Sequence, residues 1–471
     1  ADEAYDRTSD CTFTAFVAYE YTGTPGTSNY HRNVIFRNAN VPELPVSYVE
    51  APIDSLLWDE LDKACTVEDG CEYLTIPHNT NLSNGRMAPY MNLGRDLGSR
   101  RQYARVRLIK EPIMEIFQHK GNSECINGLT NILAPPDELC NFEAIKRIGR
   151  AETYQRFVSP PGSNELVLAD TTEVIRECDG NFGRYGMVGA GCVDPTDFQR
   201  SGLLIGLKEQ GQTGINPIKL GVVGSTDTHA ATPGAAIESD WRGHVTLEST
   251  PEERLTPGVL TSGIDGNPGG LAGVWAKENS RDSIFSAMQR REVFGTSGTR
   301  IIPRFFAGWD FPDNICTSAS LTEIAYAKGV PMGDDLRPSD LNSNPIFLAY
   351  ASRDEKSAAL EEIQLIKGWI DTDGRMRNQV LTMIKQPQGA NSLCALYRDQ
   401  AFNKKELSYY YVRVLEQPTQ RWNRYDCERL PEIERPDTCS DQNYPDMIQE
   451  MAWTSPIWFT PEPAKPSANK P

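Results

Sequence analysis

The first 300 residues alternate short apolar runs with amphipathic stretches. One helix is predicted from Asp54, as its N-cap, with Leu57 and Leu61 on its apolar face. Another is predicted from Ser280, and Gly295 is expected to end it. The apolar runs, each bounded by Gly, Pro or Asn, predict strands at residues 12–19, 33–37, 72–76, 112–118 and 219–224. Strands that alternate with helices are typical of an α/β fold with a parallel sheet or barrel.

After about residue 297 the pattern changes to β-type runs. Residues 345–350, 363–369 and 408–414 are rich in aliphatic and aromatic side chains, and Asp373-Gly374 is a hairpin turn signal. We therefore predict two parts, a unit at residues 1–296 and a β-rich, sandwich-like module at residues 297–460 that packs on it. The residues 461–471, rich in Pro, Lys and Ser, predict an extended tail.

The composition of the 471 residues argues against some classes of protein. There are 47 basic and 64 acidic residues, so the net charge is −17. Dedicated binding of nucleic acid or of an anionic membrane needs clustered Lys and Arg. No stretch approaches the ~20 continuous apolar residues of a membrane span. The sequence therefore predicts a globular protein without a nucleic-acid partner or a membrane span.

Eleven cysteines are many for a reducing compartment, and none lies in a C-x-x-C pair. Their spacing suggests four local bridges, and if Cys316 and Cys394 also pair, Cys11 is left alone. The candidate pairs are Cys65 with Cys71, Cys125 with Cys140, Cys178 with Cys192, Cys316 with Cys394, and Cys427 with Cys439. Connectivity does not follow from spacing, so the pairs are hypotheses. The pattern favours a periplasmic or secreted protein.

Histidine is scarce, and its positions are informative. Of the five histidines, His31, His78, His119 and His229 lie at the start or end of predicted strands, or just beyond them. In a barrel of parallel strands, the carboxyl ends of the strands converge on one face, where sites are built. His244 has no such position, and we expect a structural role for it.

Two carboxylates complete a candidate metal site. Asp227 and His229 are two residues apart, and in an extended segment such residues point the same way. Glu20 ends its own predicted strand. A mixed set of His and carboxylate ligands suits zinc, manganese or iron. Sequence signatures of serine hydrolases, zincins, P-loop proteins and dinucleotide-binding proteins were not found.

The segment around these residues resembles a known motif. Residues 224–229 read GSTDTH, followed by TPG at 232–234, and resemble the last metal motif of the PHP (polymerase and histidinol phosphatase) superfamily. The chain resembles more closely a group of secreted PHP-like proteins, over nearly its whole length. Further matching blocks are residues 16–20, 31–36, 76–79, 120–124, 273–276, 295–300 and 452–458.

The resemblance implies a distorted (β/α)7 barrel and a cluster of two or three divalent metal ions. The implied metal ligands are Glu20, His31, His78, Asp227 and His229, with Glu20 a candidate bridge between two ions. The family also has a His-x-His pair and a Thr-Asp-His before the segment that matches Glu20, whereas no histidine precedes His31. Either that part belongs to a separate or removed piece of the protein, or full metal binding has been lost. We favour the first interpretation.

The resemblance further implies a metal-dependent hydrolase, most similar to phosphoesterases, that acts on a small-molecule or ester substrate; related barrels act on amides and lactones. Metal ions would lower the pKa of a bound water and generate hydroxide, with Asp227 and His229 as candidate catalytic residues. The alternative is a secreted binding or structural protein with a degenerate PHP-like scaffold.

Four further residues are candidates for substrate contact or for orienting a metal ligand. Arg32, His119 and Lys120 are candidates for substrate contact, because they flank implied ligands or strand ends. Asn79 follows His78 and is a candidate to orient a metal ligand.

Overall fold

The computed structural model describes residues 1–88, 96–159, 167–258, 261–339 and 343–462. Strands dominate and form several separate sheets. The helices of the described residues are α1 (Asp54–Ala64), α2 (Leu97–Lys110), α3 (Gln199–Thr213), α4 (Pro251–Arg254), α5 (Arg281–Gln289), α6 (Leu321–Lys328) and α7 (Trp422–Arg429).

The first half of the described chain contributes short strands for the most part. These are β1 (Ala18–Gly23), β2 (Tyr30–Phe36), β3 (Tyr73–His78), β4 (Ile113–Gln118), β5 (Gly121–Asn122), β6 (Ile132–Leu133), β7 (Ala151–Val158), β8 (Val167–Val174), β9 (Gly221–Gly224), β10 (Leu271–Val274) and β11 (Val293–Thr296).

The second half contributes the longest strands. These and their neighbours are β12 (Ile302–Gly308), β13 (Gly329–Pro331), β14 (Asp335–Leu336), β15 (Ile346–Ser352), β16 (Leu360–Ile370), β17 (Met376–Ala390), β18 (Ser392–Arg398), β19 (Ser408–Glu416), β20 (Thr419–Gln420), β21 (Met447–Ile448), β22 (Met451–Thr454) and β23 (Ile457–Phe459).

The predicted N-terminal strands form two small sheets. β1, β2 and β3 are neighbours in that order, and both pairs are antiparallel. In the second sheet β4 lies between β5 and β9, and its pairing with β9 is parallel. Four predicted strands correspond to β2, β3, β4 and β9, whereas the strand predicted at residues 12–19 begins only at Ala18.

The expected (β/α)7 barrel is wrong. Among the described residues the sheets do not close into a barrel, and β1, β2 and β3 pair antiparallel where a PHP-type barrel requires parallel neighbours. The alternation of strands and helices predicts helices that connect parallel strands. α1, however, connects β2 to the antiparallel β3, and the sequence pattern does not distinguish such a helix from a crossover helix.

Both predicted helices exist, with differences at their ends. Asp54 is the first residue of α1 rather than its N-cap, which is Ile53. Ser280 caps α5 by accepting a hydrogen bond from the Ser283 amide, but α5 ends at Gln289. Gly295 instead lies in β11, where an added Cβ would come within 2.7 Å of the Gly224 amide nitrogen. This glycine therefore permits the close approach of β11 to β9.

The C-terminal part is β-rich, as predicted. Its largest sheet has the order β10-β11-β22-β19-β16-β17-β6, with β23 paired to β19 and to β14. A second sheet has the order β13-β12-β15-β18. Strands from both sides of the predicted boundary at residue 296 share the largest sheet. Most of the predicted tail, from residue 463 onward, lies outside the described residues.

The strand β19 shows how this sheet is held. All nine of its residues are buried, and its side chains alternate between two hydrophobic cores. Tyr409 and Tyr411 face α3 and the first half of the chain, whereas Tyr410 and Val412 face the four-stranded sheet. The three predicted strands of this part correspond to β15, β16 and β19, and Gly374 turns the chain between β16 and β17.

The four predicted local disulfide bonds are present, and Cys316 and Cys394 form a fifth. They join Cys65 to Cys71, Cys125 to Cys140, Cys178 to Cys192, Cys316 to Cys394, and Cys427 to Cys439. Cys11 is a free cysteine. In the described part of the chain, no helix has the length and apolar character that a membrane crossing needs.

One buried carboxylate joins the two halves of the molecule. Glu124, just after β5, accepts hydrogen bonds from Arg413 (3.0 Å) and Tyr411 (2.6 Å) of β19 and from Trp453 (2.7 Å) of β22. It also pairs with Arg200 of α3. Burial alone would raise the pKa of Glu124, but Arg413 and Arg200 outweigh it and lower the pKa to about 2.

We expect Glu124→Gln to lower the free energy of unfolding by about 3 kcal/mol at pH 7, because the buried guanidinium groups of Arg200 and Arg413 would then share a single carboxylate, that of Asp137. The ionised carboxylate stabilises the fold above pH 4.5, its ordinary pKa, and this contribution is lost as the pH falls toward 2. Urea unfolding at several pH values measures both effects. Glu68→Gln, at an exposed position, is the control. A difference below ~1 kcal/mol at pH 7 would contradict the assigned role.

Candidate metal centre

The register of the first sheet brings three candidate ligands to one face. His31 of β2 lies directly opposite His78 of β3, so their side chains point to the same side of the sheet. On β1, Thr22 lies opposite His31, and Glu20 is two residues before Thr22. Because side chains alternate along a strand, Glu20 shares the face of both histidines.

These three side chains are in direct contact. The Glu20 Oε1 atom lies 2.9 Å from His31 Nδ1 and 3.4 Å from His78 Nε2. Both imidazoles are buried, whereas the Glu20 side chain is about 30% exposed and forms the outer side of the group. Burial acts to raise the pKa of Glu20, but its hydrogen bonds to His31 and His78 outweigh burial and lower that pKa.

Asp227 and His229 enter from the loop that follows β9. Asp227 has a φ of 51°, a left-handed conformation that is uncommon outside glycine and often marks functional sites. His229 Nδ1 lies 2.9 Å from the Asp227 carbonyl oxygen. Ligand atoms of Glu20, Asp227 and His229 lie within 4.8 Å of one another. The two residues therefore meet Glu20 from the opposite side of the cluster.

A third group contains two histidines for which other roles were expected. His119 Nε2, in the loop after β4, lies 3.3 Å from Asp227 Oδ2. The ring of His244 stacks on His119 with centroids 3.3 Å apart, and ligand atoms of His119, Asp227 and His244 lie within 4.8 Å of one another. His244, for which a structural role was expected, is therefore a candidate ligand as well. His119 faces Asp227 as a possible metal ligand as well as a substrate contact.

The three groups form one cluster because they share Glu20 and Asp227. All five histidines of the chain belong to it. Several buried ring nitrogens have no hydrogen-bond partner among the described residues, although a buried polar atom normally has one. They are His31 Nε2 and the Nδ1 atoms of His78, His119 and His244. Such nitrogens are suited to hold a cation, so the donor set fits a transition metal.

Electrostatics differ across the cluster. Burial and the positive charge of Lys120 lower the pKa of His119, and the same two causes lower that of His244 to about 3. Burial acts to raise the pKa of Asp227, but His119 and Lys120 outweigh it and lower that pKa. His119 and His244 thus favour the neutral imidazole beside an ionised carboxylate, which are the protonation states that bind metals. On the other side of the cluster burial acts to lower the pKa of His78, but Glu20 outweighs burial and raises that pKa.

Glu115 was missed by the sequence analysis. It lies in β4, is almost fully buried, and accepts a hydrogen bond from the Ser225 hydroxyl. Burial, the largest cause, raises its pKa to about 7, and Asp227 contributes. The signal was available, because Glu115 interrupts an otherwise apolar strand between Met114 and Ile116.

The remaining predicted site residues have different surroundings. Lys120 Nζ donates to Asp227 Oδ2 at 2.7 Å, so Lys120 belongs to the cluster. The side chain of Arg32 is fully buried and forms ion pairs with Glu111 and Asp54. Substrate contact by Arg32 does not agree with this burial, and we leave Arg32 out of the site.

Asn79 lies next to the cluster, but it does not orient the side chain of a metal ligand as expected. Its backbone is left-handed, with a φ of 53°, and its side chain is buried. The side-chain oxygen and nitrogen of Asn79 have no hydrogen-bond partner among the described residues, so it does not orient His78 through such a bond.

Comparison with known proteins shows the family but not a function. The family model described as "Protein of unknown function (DUF3604)" matches residues 1–162, 188–385 and 382–461. The chain therefore belongs to the DUF3604 family. The comparison with curated proteins found no match, and neither did the comparison with solved structures.

Metal binding by this cluster predicts stabilisation of the folded chain. Zn²⁺ or Mn²⁺ at 100 times its dissociation constant should raise the free energy of unfolding by about 2.7 kcal/mol, because the unfolded chain has no such site. His78→Gln should weaken the metal affinity at least tenfold, whereas Thr22→Val, on the same face of the sheet, should not. Thermal unfolding with and without metal measures both effects. Equal stabilisation of the His78 variant and the wild type would contradict the site.

Proposed function

We propose that the chain is a metal-dependent hydrolase, most similar to phosphoesterases. The observation that carries this proposal is the linked cluster of five histidines around Glu20 and Asp227, with its unpartnered buried nitrogens. The resemblance of residues 224–229 to a PHP metal motif supports the same chemistry. The expected closed barrel is absent from the described residues, so the proposal rests on the side chains and not on that fold.

The residues divide into sets that fit more than one divalent ion. Glu20, His31 and His78 would hold one ion, and His119, Asp227 and His244 would hold another. Glu20 and Asp227 also meet His229, so either carboxylate could bridge. The nitrogen and oxygen donors suit zinc, manganese or iron. Bound ions would supply a water of lowered pKa, and thereby hydroxide near neutral pH.

His229 has the position of a residue that faces the substrate. It is exposed, and its Nδ1 lies beside the carbonyl oxygen of Asp227. A carbonyl only accepts hydrogen bonds, so Nδ1 carries the hydrogen and Nε2 has the free lone pair. The Asp227–His229 contact therefore orients Nε2 either to bind a cation or to accept a proton at the opening of the cluster.

A phosphoester is favoured over a neutral ester by the charge of the cluster. Lys120 adds an ammonium group beside Asp227. Divalent ions with this ammonium group would stabilise the negative charge that develops in phosphoryl transfer. The same groups would have less to stabilise on an uncharged substrate.

We further propose a periplasmic or secreted location. The five disulfide bonds fit a protein outside the reducing cytosol. A hydrolase at this location would act on small phosphoesters outside the cytosol. The rival hypothesis, a secreted binding protein with a degenerate site, shares the location but predicts no turnover.

We expect Asp227→Ala to lower phosphoesterase activity at least 100-fold, because Asp227 belongs to two of the three ligand groups. A panel of phosphomonoesters, phosphodiesters, esters and lactones, assayed with added Mn²⁺ or Zn²⁺, measures it. Asp313→Ala, at an exposed aspartate, is the matched control and should keep full activity. Metal binding without turnover of any compound would favour the binding protein instead.

A further inference from the structure

Lys120 is fixed inside the cluster by its own backbone. Its amide donates to Gln118 Oε1 at 2.6 Å, and its carbonyl accepts from Asn81 Nδ2 at 2.9 Å. The side chain is about 10% exposed, and its ammonium group contacts Asp227 Oδ2 at 2.7 Å. A buried lysine among candidate metal ligands is unusual, because two cations then compete for the same anion.

The positive charge of Lys120 acts on both sides of the cluster. After burial, it is the next cause that lowers the pKa of His119 and of His244. It also contributes to the lowered pKa of His31, after burial and the closer neighbours of that residue. The carboxylate that the ammonium group contacts, Asp227, belongs to two of the three ligand groups, so Lys120 lies where those two groups meet.

The charges of the cluster do not balance when divalent ions are added. Glu20 and Asp227 supply two carboxylates, and Glu115 supplies a third whose pKa is raised by burial. Two divalent ions together with the ammonium group would exceed this negative charge. Like charges held close in a poorly solvated site repel strongly. An anion that contacts the ions and Lys120 together would relieve this repulsion.

We propose that Lys120 makes metal binding and oxyanion binding cooperative. Without an oxyanion, Lys120 pairs with Asp227 and weakens metal affinity. With an oxyanion, the ammonium group has an alternative partner, and Asp227 is free to bind the metal. The inference rests on the proposed function and specifies its substrate class, an ester of phosphate whose tetrahedral oxyanion completes the site.

Thermodynamic linkage gives this inference a direct test. If an oxyanion tightens metal binding, metal must tighten oxyanion binding by the same factor. A purely structural role for Lys120 predicts that any such coupling is the same with and without the Lys120 ammonium group. Sulfate is a suitable probe, because it is a tetrahedral dianion that stays soluble with Mn²⁺.

The experiment is calorimetric titration of Mn²⁺ into the metal-stripped full chain, with sodium sulfate or with sodium chloride at equal ionic strength. In the wild type, sulfate should tighten Mn²⁺ binding at least fivefold. Lys120→Gln should bind Mn²⁺ at least fivefold tighter than the wild type in chloride, and sulfate should then change its affinity less than twofold. Lys120→Arg keeps the charge and should restore the sulfate effect.

Two controls separate charge from other causes. Dimethyl sulfone, an uncharged tetrahedral sulfur compound, should leave Mn²⁺ affinity unchanged in every variant. Lys219→Gln removes a lysine that pairs with Asp335 outside the cluster, and it should keep the wild-type coupling. Circular dichroism of each variant checks that the fold is retained.

The possible failures are distinguishable. If sulfate has no effect on the wild type, or the same effect on Lys120→Gln, the cooperative role of Lys120 is overturned while the proposed hydrolase stands. If the wild type binds no Mn²⁺ in either salt, both proposals fail. The wild-type titration alone overturns the proposal when sulfate has no effect, and that outcome does not depend on folding of the Lys120→Gln variant.

Discussion

The antiparallel register of β2 with β3 is the constraint on which the cluster depends. It sets His31 opposite His78, and the register with β1 then brings Glu20 to the same face. A slip by one residue would turn each of these side chains to the other face. Arg32, the residue after His31, helps to fix this register. Its side chain points away from the cluster and is buried in ion pairs with Glu111 and Asp54. Arg32 therefore contributes to the site through the fold and not through contact with a ligand.

A second constraint fixes the other side of the cluster. His119 and Lys120 lie in a short loop between β4 and β5, and Glu124 follows β5 by two residues. Glu124 anchors this region to the largest sheet through Arg413 and Trp453. The amide of Gln199, at the start of α3, donates a hydrogen bond to the Ser123 carbonyl and so connects this region to α3 as well. The largest sheet thus supports the loop that carries two cluster residues.

The sequence predicted local features better than it predicted pairing. Strands, two helices and four disulfide bonds followed from apolar runs, caps and cysteine spacing, because those signals lie close to one another in the sequence. The barrel did not follow, because α1 joins antiparallel strands and only long-range contacts decide that pairing. Gly295 was assigned to a helix end for the same reason, since its close neighbour is Gly224, 71 positions earlier in the chain.

The site residues also divide into those with a local sequence signal and those placed only by long-range contacts. Glu20, His31, His78, Asp227 and His229 lie at strand ends or in a recognisable motif, and the structure brings them together. His244 lies in an irregular loop with no local pattern, so its stacking on His119 had no sequence signal. Glu115 had a sequence signal, because it is a single carboxylate in an apolar strand. Its place at the site, however, depends on the neighbouring loop that carries Ser225.

The central claim is that the cluster of five histidines binds metal. The most direct measurement is a crystal structure of the full chain grown with Mn²⁺, with anomalous diffraction recorded on both sides of the manganese absorption edge. The account predicts anomalous peaks within ~2.0–2.3 Å of histidine nitrogens and carboxylate oxygens of the cluster. No such peak, with the histidine nitrogens instead bonded to water and to one another, would contradict it.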